Sequence, residues 1–103
     1  MSLLAEVSIF PLDKGESVGD YVARSIGIIE KSGLAYKVGA MGTCIEGEWD
    51  EVMGVIKACF EALRRDCHRV EIQIKADYRA GRSGCLEGKV RSVEKRLGHA
   101  VCK

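Results

Sequence analysis

Between Met41 and Val52 the chain reads MGTCIEGEWDEV, which holds its only Trp and its only Thr among three carboxylates placed before Glu51. A glycine turn, a short strand and an acidic helix start meet in this block. Hydroxyl, carboxylate and indole groups at such a junction suit the grip of a small ligand better than bond-breaking chemistry. Met41, Thr43, Glu46, Glu48 and Trp49 are therefore the first candidates for ligand contact.

A second candidate lies ahead of the last helix. Arg79, Arg82, Ser83 and Gly84 could hold an anion through two guanidinium groups and the helix-start N–H groups. The alternative is a plain solvated basic loop. It is no Walker loop: Gly88-Lys89 lacks both the upstream glycine and a following Ser or Thr. Catalytic arrangements are missing. There is no Ser-His-Asp order, no acid/base carboxylate pair in an apolar setting and no activated cysteine context. The five cysteines are odd in number and none is spaced C-x-x-C, so neither a disulfide framework nor a metal site is expected. Cys67 and His68 are strand neighbours and point to opposite faces. No catalytic residue, metal or cofactor is assigned.

The elements that must position these groups follow from periodicity. Residues 4–10 alternate, with Ala5, Val7 and Ile9 on one face and Glu6 and Ser8 on the other, up to Pro11. Ser17 and Asp20 have capping-box spacing ahead of a helix carrying Val18, Val22, Ser25 or Ile26, and Ile29 inward. Gly33 is placed to end it. Residues 35–41 and 43–48 form a hairpin around Gly39 and Gly42. The next helix has the clearest stripe: Trp49, Val52, Met53, Ile56, Cys59, Phe60 and Leu63. Its first-turn acids suit the helix dipole. Val70 to Tyr78 alternates throughout, with Val70, Ile72, Ile74, Ala76 and Tyr78 on the apolar side. A last helix presents Leu86, Val90, Val93 and Leu97 inward and stops near Gly98.

The order strand, helix, hairpin, helix, strand predicts an α+β ferredoxin-like sandwich in one domain. Four antiparallel strands carry two helices on one face, with the C-terminal helix as an addition. The first and last strands are expected to be neighbours in the sheet interior. Their outward residues Glu6, Ser8, Glu71, Gln73 and Lys75 then form a mixed-charge patch, and the long last strand invites another copy of the chain. Self-association is expected.

Composition limits the partners. A length of 103 residues suits one domain, and a net charge of +1 gives no field for nucleic acid or an anionic membrane. RNA binding on this topology would need aromatics on the open face, which instead carries Glu6, Ser8, Glu71 and Gln73. An acylphosphatase-like enzyme would need an Asn, and the chain has none. No apolar run approaches the roughly 20 residues of a membrane span. The first ten residues lack a basic flank and read as a strand. A cytoplasmic protein is expected.

The opening strand AEVSIFPLDKG, the block AMGTCIEGEWDEVM and the strand VEIQIKADYR together resemble the small thiamine-binding protein family, also called YkoF-like. The likeness runs from Leu3 to Leu97, and the block at Gly42–Val52 is its most specific part. The resemblance implies a ferredoxin-like fold, frequent assembly as a tetramer, and non-catalytic binding of thiamine or its hydroxymethyl-pyrimidine moiety. Such a ligand needs a carboxylate for its cation or amine, a donor-acceptor pair for ring nitrogens, and a flat or sulfur-bearing wall. Glu46, Glu48, Trp49, Thr43 and Met41 offer these, Tyr36 and Tyr78 add flat surface, and Glu6, Ser8, Gln73 and Lys75 could read the pyrimidine edge. Each also has a purely structural reading. Trp49 and Tyr78 continue apolar stripes and fit the core. Glu48 fits a first-turn charge, and Glu6 a cross-strand partner of Lys75. A sensing domain for another metabolite, or an interaction protein without ligand, is the alternative function.

Overall fold

Alternating and helical periodicities resolve into β1 (Leu3–Pro11), α1 (Gly19–Lys31), β2 (Ala35–Val38), β3 (Thr43–Gly47), α2 (Trp49–Arg64), β4 (Val70–Tyr78) and α3 (Cys85–Leu97) in the computed structural model, which describes residues 2–102. The sheet is antiparallel throughout, in the order β2-β3-β1-β4. This is the expected α+β sandwich. β1 and β4 pair along their length, from Leu3 opposite Tyr78 to Pro11 opposite Val70. One expectation is corrected: β4 is an edge strand, because β1 already has β3 on its other side.

The inward face of the sheet presents Ala5, Val7, Ile9 and Ile45 to Ile29 of α1 and to Val52, Ile56, Cys59 and Leu63 of α2. Each large buried side chain contributes about 1.5–3 kcal/mol. The helices are tied at one end by a two-pronged pair, Arg24 Nη1 to Asp66 Oδ1 at 2.9 Å and Nη2 to Oδ2 at 3.2 Å. α1 does not use the Ser17–Asp20 box. Its N-cap is Val18, whose carbonyl accepts the N–H groups of Tyr21 and Val22, so the first turn closes beyond the reach of Ser17. Gly33, at φ 79°, ends α1 in the left-handed conformation that glycine adopts most cheaply. α2 has the capping box: Glu48 is its N-cap and Glu48 N–H donates to Glu51 Oε1 at 3.1 Å.

Several inward assignments fail, among them Val22 of α1 and Ile72 and Ile74 of β4, which are 39%, 39% and 45% exposed. Trp49 is 60% exposed at the first position of α2, one turn ahead of Val52, the first buried residue of that helix. Tyr78 is 55% exposed because β4 lies at the rim, where the helices give it little cover. α3 has no buried residue. Its tethers all come from the outward face of the sheet: Lys37 to Glu87 at 3.4 Å, Glu46 at its N-terminus, and Asp77 to Lys89 at 2.5 Å. It therefore lies across the face opposite α1 and α2, with the apolar stripe of Val93 and Leu97 left uncovered.

Candidate functional site

One end of the sandwich is hollow. There Val7 and Ile9 of β1, Val18, Val22, Ser25, Ile26 and Ile29 of the α1 region, and the turn from Val38 to Thr43 enclose a cavity of about 300 Å³. Local sequence creates it. Ser25 stands where the α1 stripe would otherwise carry a large aliphatic, and Gly39, Ala40 and Gly42 put no bulk into the facing turn. Gly39 N–H donates to the Gly42 carbonyl at 2.9 Å, and a Cβ on Gly39 would lie 2.9 Å from that same oxygen. The turn thus demands glycine there.

Ser25 is 3% exposed, and its Oγ has no hydrogen-bond partner among the described residues. The Cys59 thiol lies beside it and donates to the Ser25 carbonyl at 3.6 Å. Burial pushes that thiol's pKa up. An unpaired buried hydroxyl carries a desolvation penalty that a ligand could remove. Thr43, also buried, faces the same space from the start of β3. Met41, 88% exposed, sits on the rim.

The residues expected to share one site are divided among several places. Met41, Thr43 and Ser8 line the cavity. Glu6 lies just outside it: exposed on the outward face, opposite Lys75 and Cys44, with its Cγ 3.0 Å from where a Cβ on Gly42 would stand. Gln73 and Lys75 are exposed on β4. Tyr36 packs at the far end of the core, its hydroxyl 3.4 Å from Glu30 Oε2. Glu48 caps α2, and Trp49 beside it projects outward.

Glu46 has a structural post. Its carboxylate accepts Ser2 Oγ at 2.8 Å, Cys85 N–H at 2.8 Å and Leu86 N–H at 3.1 Å. Burial alone would raise its pKa, and these hydrogen bonds outweigh burial and hold it below the ordinary glutamate value. The same contacts bear on the anion candidate. Arg79, Arg82 and Ser83 are exposed around the α3 start, but two N–H groups an anion would use are taken by Glu46. Among the described residues, no cluster of three or more His, Cys, Asp or Glu is placed to hold a metal. None of the described helices is long and apolar enough to cross a membrane.

Sequence reasoning placed Ser25 only as an inward position. The signal available was a lone hydroxyl in an aliphatic helix face, facing the chain's single Thr across the sheet end.

The comparisons with known proteins agree with this fold. A family model described as thiamine-binding protein matches residues 5–94. A UPF0045 protein of Mycobacterium tuberculosis is 41% identical over 98 residues, covering 94% of this chain and 96% of its own. A UPF0045 protein of Bacillus subtilis is 36% identical over 100 residues, covering 91% of this chain and 96% of its own. Among solved structures, a protein of Methanocaldococcus jannaschii superposes with a TM-score of 0.85 at 35% identity, over 91% of this chain and 97% of that one. A candidate thiamine biosynthesis/salvage protein of Thermotoga maritima gives 0.80 at 27% identity, over 90% of this chain and 99% of that one. Matched across nearly its whole length in sequence and in fold, the chain belongs to the thiamine-binding protein family.

Proposed function

We propose that this protein binds thiamine, or its hydroxymethyl-pyrimidine half, in the cavity between α1 and the sheet, without transforming it, as a cytoplasmic homo-oligomer. The observation that carries the reading is the unpaired, buried Ser25 hydroxyl in a space of about 300 Å³. That volume is at the lower end of small-molecule sites. Met41 on the rim adds a polarizable wall for an aromatic ring. A binding role fits the lining: its inward polar side chains are Ser25 and Thr43, with no base among them to activate a nucleophile. Self-association is supported by β4, an edge strand whose Ile72, Ile74 and Tyr78 are 39%, 45% and 55% exposed.

Thermal melting tests the reading. Thiamine or its pyrimidine alcohol at 100 times the dissociation constant is expected to add roughly 2.7 kcal/mol of stability. No shift with either compound, at concentrations up to the millimolar range, removes thiamine chemistry from this chain.

A further inference from the structure

The sheet has two edges. One is β4, whose exposed apolar strip supports self-association; the other is β2, which pairs only with β3. Along β2 runs a groove of about 510 Å³, walled by Leu34, Ala35 and Tyr36 on the strand side and by Gly84, Leu86 and Arg91 on the α3 side. α3 is held there because its first N–H groups donate to Glu46 of β3 and its Glu87 meets Lys37 of β2. A sheet edge with a helix beside it offers an extended chain two things: a row of backbone groups on the outer side of the strand, and a channel for alternate side chains.

Charge says what kind of chain fits. Three charged side chains line the groove, and two are already balanced. Glu46 is 8% exposed, and its oxygens accept Ser2 Oγ and the N–H groups of Cys85 and Leu86. Glu87 has Lys37 Nζ at 3.4 Å. Arg91, one turn further along α3, is exposed and makes no hydrogen bond or ion pair among the described residues. The uncompensated charge of the groove is therefore a guanidinium, which pairs best with a carboxylate. We propose that this groove docks an extended segment of a partner protein, which adds to β2 as a fifth strand, lays an aliphatic side chain against Leu34 and Leu86, and places a carboxylate on Arg91. A small anion would gain the guanidinium but leave the outer side of β2 to water. A polyanion such as nucleic acid would set further phosphates against Glu46 and Glu87.

A display library of random peptides about six residues long tests this, since at roughly 3.3 Å per residue such a peptide runs past the four residues of β2. Selected on the intact chain, it should yield sequences with aliphatic residues at alternate positions and an Asp or Glu at a fixed one. By fluorescence anisotropy the best synthetic peptide should bind Arg91→Glu about tenfold or more weakly than wild type, the range for losing a hydrogen bond to a charged group. Arg91 is exposed, so the variant should melt with wild type. Methylating the peptide amides that pair with β2 should abolish binding, and methylating those on the far side should not. A library without enrichment, affinity unchanged by Arg91→Glu, or indifference to backbone methylation each overturns the proposal. So does protection of the β2 amides from hydrogen exchange that appears only at high protein concentration, because a second copy of the chain then fills the groove. None of these outcomes involves the cavity behind Ser25, so thiamine binding stands or falls separately.

Discussion

Glu46 illustrates how a side chain that reads as ligand-binding comes to hold the chain itself. It sits on the outward face of β3, and its two oxygens are shared among Ser2 and the first N–H groups of α3. Because its folded pKa is lowered, its contribution is complete above the ordinary glutamate range and is lost as pH falls through the lower folded value. Glu46→Gln is expected to cost about 1–3 kcal/mol, and to abolish the acid-side titration of the Cys85 and Leu86 amide shifts in heteronuclear NMR. Amide shifts that titrate identically in the variant would show that α3 is held by other contacts. Trp49 is the opposite case. At 60% exposure its removal leaves no cavity, so Trp49→Ala should change stability by no more than about 0.5 kcal/mol in chemical denaturation. These two residues mark the limit of residue-level reading. Their types suggested recognition, but only the third dimension shows that one holds the start of a helix and the other is turned to solvent. The turn that carries Met41 and Thr43, by contrast, was legible, because it is written in Gly39 and Gly42.

Elements were far more legible than sites. Strict alternation located β4 at Val70–Tyr78, and the α2 stripe located its buried face, apart from Trp49. Each of these signals repeats over many residues, so one exception does not erase it. The α1 start rested on a single two-residue motif and was displaced. The α3 stripe was read correctly as apolar and wrongly as buried, because periodicity gives a face and does not supply the surface that covers it. The hairpin between β2 and β3 carries the prediction of this scale. Gly39→Ala brings a Cβ to 2.9 Å from the Gly42 carbonyl oxygen, which already accepts the Gly39 N–H. The turn must open to admit it, at a cost of about 1–3 kcal/mol. Since residues 38–43 wall the cavity, thermal melting and calorimetry should report lost stability and weakened pyrimidine binding together. A variant that melts lower yet binds normally would place the ligand elsewhere.

At the scale of the whole molecule, two apolar surfaces are left without cover. One is the helix-side strip of β4, Ile72, Ile74 and Tyr78; the other is the α3 stripe at Val93 and Leu97, on the opposite side of the sheet. A second copy is the expectation from the sequence both for the hydrophilic outward patch and for the long last strand; the exposed apolar area lies on the β4 strip and α3. Were each of them to close on a second copy about a two-fold axis, as the proposed self-association requires, the product would be a dimer of dimers. A nine-residue edge strand strengthens the first contact, since the backbone groups along its outer side can continue the sheet into a second copy. Ile74→Lys puts a charge at the centre of that strip. Ile74 is 45% exposed, so the isolated fold should lose little stability, while sedimentation velocity should show the assembly reduced to a dimer held through α3. Leu97→Glu should leave the other dimer, and the double variant should sediment as a monomer. If Ile74→Lys sediments like wild type, the β4 strip faces water in the native assembly, and the association must be carried by the polar outward face or by α3 alone.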